Sequence, residues 1–355
     1  MMRRRQQDNP PRQPLHQHRH LSVEDATPIQ SKRITRRSST LLIAAIVGIV
    51  LFFVVVCCAL RSLGIIDVGP TSPLQETLSL LRGAVRDAEK KRRVIAVGDI
   101  HGDKDALVRA LQLANVVNPD DGGVTWIGGS DIVVQIGDLL NKAEQRDEET
   151  LAYMTEIERQ ARAAGGAVVV TVGDHDLHNA PKLWHEMHPE NDPFPSWITA
   201  AYEVDRTLFV HGSLSKIILE NAGGGSLEAM IRDAGAWLSG TTGENKKPKW
   251  IGRGDGPIWS RLYSDKASDE HPHCDDDLFP LLNYLSVDRM VVGHTVRREG
   301  ISSICNGKVW RIDVGLSKTE SRAGNIGASE VLELREGGKV ATILSTDVKL
   351  KSWKL

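Results

Sequence analysis

The sequence predicts an α/β domain built around a parallel β-sheet and preceded by one transmembrane helix. Short runs of β-branched residues alternate along the chain with segments of helical periodicity, and this order is typical of βαβ units. Three of these runs end in a Gly-Asp pair, at Gly98-Asp99, Gly137-Asp138 and Gly173-Asp174. Nearer the amino terminus, one long stretch without charged residues predicts the transmembrane helix.

The amino-terminal segment differs in composition from the rest of the 355-residue chain. Residues 1–40 contain nine Lys and Arg against three Asp and Glu, and very few large apolar side chains. Such a segment cannot bury enough apolar surface to form a core, so we expect a disordered basic tail. The remainder of the chain is acidic, which argues against nucleic acid as a partner of the folded part.

Residues 41–60 (LLIAAIVGIVLFFVVVCCAL) contain no charged and no strongly polar side chain. A helix of this length spans about 30 Å, the thickness of one hydrocarbon core. A buried core helix would carry a polar face, and a cleaved signal peptide would have a shorter apolar region behind a short leader. The flanking arginines are Arg33, Arg36 and Arg37 before the segment and Arg61 after it. We therefore expect a membrane anchor with a cytosolic amino terminus and a folded domain that is lumenal or extracellular.

The remaining boundaries follow from composition along the chain. Residues 61–91 are predicted to form a linker followed by a stalk helix with leucines at helical spacing. Residues 92–346 should form the folded domain, closed by a β-hairpin, and residues 347–355 a tail. Cys274 and Cys305 would face an oxidising compartment and could pair there, although their spacing does not require it.

The first Asp loop follows the apolar run Val94–Val97 and contains Gly98-Asp99-Ile100-His101-Gly102. An apolar run bounded by a turn is typical of a buried strand, and its carboxyl end is where open α/β sheets bind ligands. Asp99 and His101 are two residues apart, so in extended backbone they point to one side and can bind one divalent metal ion. By itself this pattern is also compatible with an ordinary turn.

Four further predicted strands end in a loop that carries Asp, His or both. These residues are Asp138, Asp174 with His175, His211, and His294, after the runs 132–136, 167–172, 207–210 and 289–292. Because parallel strands present their carboxyl ends at one edge of a sheet, we expect the five loops to meet there. Carboxylate and imidazole ligands without thiolate predict two divalent metal ions, of Mn, Fe or Zn. Such a pair binds phosphate and activates water for its hydrolysis.

The order of these loops resembles that of the calcineurin-like metallophosphoesterases, within the phosphoprotein phosphatase superfamily. Three further stretches are similar to the Shewanella-like protein phosphatases, namely Trp126-Ile-Gly-Gly, Asp255-Gly-Pro-Ile-Trp-Ser-Arg261 and Val309-Trp-Arg-Ile-Asp-Val-Gly-Leu-Ser317. The resemblance covers roughly residues 92–320. It implies a β-sandwich of two packed sheets flanked by helices.

The resemblance also implies a role for each site residue. The first metal ion would be bound by Asp99, His101 and Asp138, and Asp138 would bridge to the second. Asp174, His211 and His294 would complete the second site. His175 would be the general acid for the leaving oxygen, and Arg261 would bind the phosphate.

Several residues depart from the family pattern. Asn141 stands where the family has the carboxylate that orients the catalytic imidazole, and positioned acid catalysis contributes about 10² to 10⁴ in rate. Lys142 replaces an arginine and lacks the planar fork that binds phosphate through two hydrogen bonds. Asp174 makes a metal ligand anionic, and Asp176 replaces a glutamate. We therefore expect a site that binds metal but has weakened phosphatase chemistry.

The leading expectation is metal-dependent hydrolysis of phosphomonoesters, on phosphoproteins or on small phosphoesters. Hydrolysis of nucleotide polyphosphates is an alternative within the same chemistry, because related enzymes use the same metal core. A pseudophosphatase, which would bind phosphorylated partners without hydrolysing them, is the alternative from another functional class. It is motivated by Asn141, Lys142 and Asp176 together.

Overall fold

The computed structural model describes residues 92–141, 145–188, 193–241, 247–264, 272–317, 329–346 and 351–354. The expected tail at 1–40, anchor at 41–60 and stalk at 61–91 lie outside these residues. Within the described residues, no helix is long and apolar enough to cross a membrane.

The larger of two sheets has seven strands in the order β12-β11-β10-β1-β2-β3-β4. In chain order these strands are β1 (Val94–Val97), β2 (Ile132–Gln135), β3 (Ala167–Thr171), β4 (Ile198–Thr199), β10 (Glu330–Arg335), β11 (Val340–Ser345) and β12 (Lys351–Lys354). The first four pair in parallel, and β10 joins β1 in antiparallel fashion. The predicted parallel sheet and the closing hairpin are therefore both present.

The second sheet has five strands in the order β5-β6-β7-β9-β8. They are β5 (Tyr202–Val204), β6 (Thr207–Phe209), β7 (Arg289–Val292), β8 (Ser302–Ile304) and β9 (Val309–Arg311). The three central strands are parallel, so β6 and β7 end on the same edge of the sheet.

The two sheets pack face to face, because alternate residues of each strand point to opposite sides. One buried cluster joins Ala96 and Val134 of the larger sheet to Phe209, Val291 and Trp310 of the smaller one. The opposite face of the larger sheet contributes Ile95 and Val133 to a second core. This arrangement is the β-sandwich that the resemblance implied.

Six helices of the described residues flank the sheets. They are α1 (Lys104–Leu113), α2 (Gln145–Ala163), α3 (Asp176–Met187), α4 (Lys216–Gly223), α5 (Leu227–Leu238) and α6 (Phe279–Leu285). Asp103 caps α1 by accepting the Ala106 N–H at 3.0 Å. Helices α1 and α3 begin directly after metal-binding candidates, which places the amino-terminal ends of both helices at the site.

One local expectation was wrong. The boundary of the domain at 346 is too early, since Lys351–Lys354 pairs with β11 and forms an edge strand.

Helix α3 forms although it contains a proline, Pro181. The buried side chains Leu177, Leu183 and Trp184 explain the helix, because their packing outweighs the hydrogen bond that a proline removes.

Candidate dinuclear metal centre

The glycines that precede the metal-binding candidates allow the strand-end loops to cross closely. Gly137 has φ +97°, and a Cβ there would lie 2.7 Å from His211 Nδ1 and 2.8 Å from the Gly173 nitrogen. A Cβ on Gly173 would collide with the Asp138 carboxylate. These contacts explain why glycine stands before Asp138 and before Asp174.

Four side chains form one candidate metal-binding cluster: Asp138, Asp174, His211 and His294. One ligand atom of each lies within 4.8 Å of the others. Asp174 Oδ1 is 2.9 Å from His294 Nδ1 and 3.3 Å from His211 Nε2. The cluster therefore brings together the residues that the sequence assigned to the second metal ion.

A second cluster consists of His101, Asp138 and His175. Asp138 Oδ2 lies 3.8 Å from His101 Nε2 and 3.5 Å from His211 Nε2, so one oxygen faces an imidazole of each cluster. The other oxygen, Asp138 Oδ1, accepts the His175 N–H at 2.9 Å. Asp138 would therefore contribute to holding a metal ion in either cluster.

Asp99 lies beside these clusters rather than within either of them. Its side chain is buried, and Oδ2 accepts the backbone N–H of His294 at 3.1 Å. The cluster around His101 and Asp138 thus contains His175 where the resemblance placed Asp99.

The buried carboxylates of the site need a compensating positive charge. Burial, together with the neighbouring Asp176 and Asp174, raises the pKa of Asp138 to about 8, although His211 opposes the shift. Burial and the nearby Asp313 also raise the pKa of Asp99. Carboxylates packed in this way are neutralised either by protons or by metal ions.

The pKa values and ring positions of the imidazoles are also compatible with metal binding. Burial, together with His175 and His211, lowers the pKa of His101 to about 4, so its ring is neutral at physiological pH and can donate a lone pair to a metal. His211 is buried, but Asp138 and Asp99 outweigh the effect of burial and raise its pKa to about 10. Its Nδ1 lies 2.9 Å from the Ile136 carbonyl oxygen, which leaves Nε2 toward the cluster. The donor set therefore fits two divalent ions.

Asn141 and Lys142 differ from the residues that the family has at these positions, a carboxylate and an arginine. The ring Nδ1 of His175 is buried and has no hydrogen-bond partner among the described residues, so the Asn141 side chain does not orient it. Lys142 lies outside the described residues. The Asn141 backbone N–H instead donates to Asp147 Oδ1 at 2.9 Å.

Arg261, which the resemblance assigns to phosphate binding, lies beside His294 of the four-residue cluster. Its Nη1 donates to the His294 carbonyl oxygen, and to Thr295 Oγ1 at 2.7 Å. Thr295 also shares a 2.7 Å hydrogen bond with Ser264. The guanidinium is thus held beside a metal-binding candidate while its side chain stays exposed.

Sequence reasoning missed what Asp176 does. This fully buried carboxylate accepts backbone N–H groups from Leu140 at 2.9 Å, Gly173 at 2.9 Å and Leu139 at 3.3 Å. It therefore binds the loop after β2 to the loop after β3. An Asp at the first position of a helix was a signal for such bonds to backbone N–H groups.

Comparisons with known proteins agree with the geometry. A family model described as calcineurin-like phosphoesterase matches residues 92–298. Shewanella-like protein phosphatase 2 of Arabidopsis thaliana is 26% identical over 322 residues, covering 72% of this chain and 78% of the relative. Shewanella-like protein phosphatase 1 of Plasmodium berghei (strain Anka) is 23% identical over 256 residues, covering 63% and 67%.

Solved structures share the fold. The cold-active protein-tyrosine phosphatase of a psychrophilic Shewanella species superposes with a TM-score of 0.56 at 20% identity, over 74% of this chain and 80% of that one. A further structure of a cold-active protein tyrosine phosphatase gives a TM-score of 0.55 at 21% identity, over 74% and 78%. The homologues and these neighbours are phosphatases, and the chain, a divergent relative of the Shewanella-like protein phosphatases, belongs to the calcineurin-like phosphoesterase family.

Proposed function

We propose that the chain hydrolyses phosphomonoesters on phosphorylated proteins, using two divalent metal ions, and that its chemistry is weaker than that of family members with a carboxylate at residue 141. The observation that carries this proposal is the shared position of Asp138. Its Oδ2 lies between His101 of one cluster and His211 of the other, at 3.8 and 3.5 Å.

Two divalent ions at such a centre supply Lewis acidity toward a phosphoryl group and lower the pKa of water. The protein's own residues do the rest. Arg261 presents a guanidinium beside His294, where it can pair with phosphoryl oxygens. Asp138 Oδ1 holds the His175 main chain, and the imidazole packs against His101 within the same cluster. His175 then delivers a proton to the leaving oxygen while water adds to phosphorus.

The test is hydrolysis by the full-length chain purified in mild detergent and supplied with Mn²⁺. Peptides with phosphoserine, phosphothreonine or phosphotyrosine would be compared with a dinucleoside polyphosphate. We expect phosphopeptide hydrolysis that Asp138→Asn abolishes and that Lys182→Ala, an exposed change on α3, leaves intact. Hydrolysis of the dinucleotide alone, or activity that survives Asp138→Asn, would contradict the proposal.

A pseudophosphatase is the second candidate, favoured by Asn141 and by the Nδ1 of His175, which has no partner in the described part of the chain. Reversion separates the two candidates. Asn141→Asp with Lys142→Arg should raise kcat about 10- to 100-fold over a measurable wild-type rate, because a carboxylate would orient the imidazole. A wild type with no detectable turnover, from which reversion creates activity, would instead establish the pseudoenzyme.

We also propose a membrane location for the chain. Residues 41–60 are proposed to anchor the chain, with residues 1–40 in the cytosol and the phosphatase domain in a lumen or outside the cell. A disulfide between Cys274 and Cys305, present in the structure, supports an oxidising compartment.

A further inference from the structure

The side-chain amide of Asn179 joins two main-chain segments of the site. Asn179 lies in the first turn of α3, and its Nδ2 donates to the carbonyl oxygens of Asn141 at 2.8 Å and of His175 at 3.0 Å. Two carbonyl acceptors can be satisfied only by the NH₂ side of the amide, so they fix its orientation. The side chain therefore ties the loop after β2 to the residue that begins α3.

The main chain of His175 is held by two side chains, while Nε2 of its ring lies 3.9 Å from Asp174 Oδ2. Its N–H donates to Asp138 Oδ1 at 2.9 Å, and its carbonyl oxygen accepts from Asn179. Its ring packs edge-on against His101, with 4.8 Å between the ring centroids, while Nδ1 has no hydrogen-bond partner among the described residues. Asn179 thus supplies a side-chain hydrogen bond that helps to fix the position of this residue.

We propose that Asn179 is a positioning residue for proton transfer by His175, and that it compensates for the missing carboxylate at residue 141. The role rests on the proposed phosphatase function. As the bond between phosphorus and the leaving oxygen breaks, its electron pair goes to that oxygen, and His175 Nε2 supplies the proton. The attacking water supplies the hydroxyl group to phosphorus and a proton that restores the imidazolium. A small displacement of the imidazole slows the transfer to the leaving oxygen, because that transfer requires Nε2 within hydrogen-bond reach of this oxygen.

The leaving group gives a specific test. A phosphoserine peptide leaves as an alkoxide and needs the proton, whereas p-nitrophenyl phosphate has a stable leaving group and does not. In the full-length, Mn²⁺-loaded protein, Asn179→Ala should lower kcat for the phosphoserine peptide about 10- to 100-fold. It should change kcat for p-nitrophenyl phosphate less than threefold and leave KM for both substrates unchanged.

Two variants control for structural damage. Asn179→Asp keeps the shape of the side chain but removes both N–H donors, so it should reproduce the effect of Asn179→Ala. Lys182→Ala changes an exposed side chain of the same helix and should have no effect on either substrate. Metal content measured for each variant should equal that of the wild type.

A double-mutant cycle tests the compensation itself. In an Asn141→Asp background a carboxylate can orient the imidazole directly. Asn179→Ala should then lower kcat for the phosphoserine peptide less than fivefold. Such non-additivity is expected only for residues that act on the same group.

Each outcome decides between the possibilities. Equal losses on both substrates, or a loss of metal, would show that Asn179 is merely structural. An active wild type that Asn179→Ala leaves unchanged would overturn this role and leave the proposed function standing. A wild type inactive on both substrates would reject the proposed function and this role with it.

Discussion

Asp138 Oδ2 and His211 Nε2 face each other across the candidate metal centre at 3.5 Å. Asp138 follows β2 of the larger sheet, whereas His211 follows β6 of the smaller one. The same division holds for the rest of the centre, since Asp174 comes from the larger sheet and His294 from the smaller. Metal ions bound here would cross-link the two halves of the sandwich at the edge where both sheets end.

Metal removal is therefore expected to destabilise the folded domain. Free metal at about 100 times its Kd stabilises a protein by about 2.7 kcal/mol. For a domain of this size that shift raises Tm by roughly 5 to 10 °C. Thermal unfolding of the full-length chain with and without a chelator measures it. Asp138→Asn should make Tm insensitive to the chelator, and a wild type equally insensitive would contradict a cross-linking role.

Metal binding should release protons at neutral pH. In the metal-free site the pKa of His211 is raised to about 10 by the charges of Asp138 and Asp99, and burial raises that of Asp138 to about 8, so this pair retains at least one proton at pH 7. A metal ion requires the deprotonated forms, so its affinity should rise as the pH increases toward 8 and fall as the pH decreases. Calorimetric titration with Mn²⁺ in two buffers of different ionisation enthalpy counts the protons. Equal heats in both buffers, with a pH-independent Kd, would be the contrary result.

Arg261 is expected to matter for phosphate binding and not for metal binding. A hydrogen bond to a charged group contributes about 1.5 to 3 kcal/mol, so Arg261→Ala should lower kcat/KM about 10- to 150-fold with metal content unchanged. Thr295→Val removes one of the two acceptors of Nη1 and should have a smaller effect, since the His294 carbonyl still holds the guanidinium. If Thr295→Val proved the more damaging change, the phosphate-binding role of Arg261 would be in doubt.

Sequence patterns predicted the candidate metal-binding loops because each follows a short, buried and largely apolar strand, and parallel strands end on one edge. The hydrogen bonds that hold these loops in place could not be predicted, because they join side chains to backbone groups distant in sequence. Asp176 binds Leu139 and Leu140, and Asn179 binds Asn141, across separations that no local pattern encodes. The partner of Cys274 stayed open for the same reason.

The disulfide between Cys274 and Cys305 should contribute substantially to stability. Cys274 precedes α6, and Cys305 lies in the turn between β8 and β9, 31 residues away. In the chain-entropy model, closing a loop of that length lowers the entropy of the unfolded chain and raises the free energy of unfolding by about 3 to 4 kcal/mol. Reduction, or the double change Cys274→Ser with Cys305→Ser, should lower Tm by roughly 6 to 15 °C. Reductant should have no further effect on the double variant; a further decrease in Tm would place the stabilisation elsewhere.

The orientation of the proposed anchor can be tested, and the disulfide bears on the expected result. The arginines before residue 41 outnumber the single Arg61 after residue 60, which favours a cytosolic amino terminus. An oxidising compartment for the domain would also preserve the bond between Cys274 and Cys305. Protease added to sealed microsomes should then leave the phosphatase domain intact, and digest it only after detergent opens the membrane. Digestion of the whole domain in sealed vesicles, with a short protected fragment around residues 41–60, would reverse the orientation and place the enzyme among cytosolic phosphoproteins.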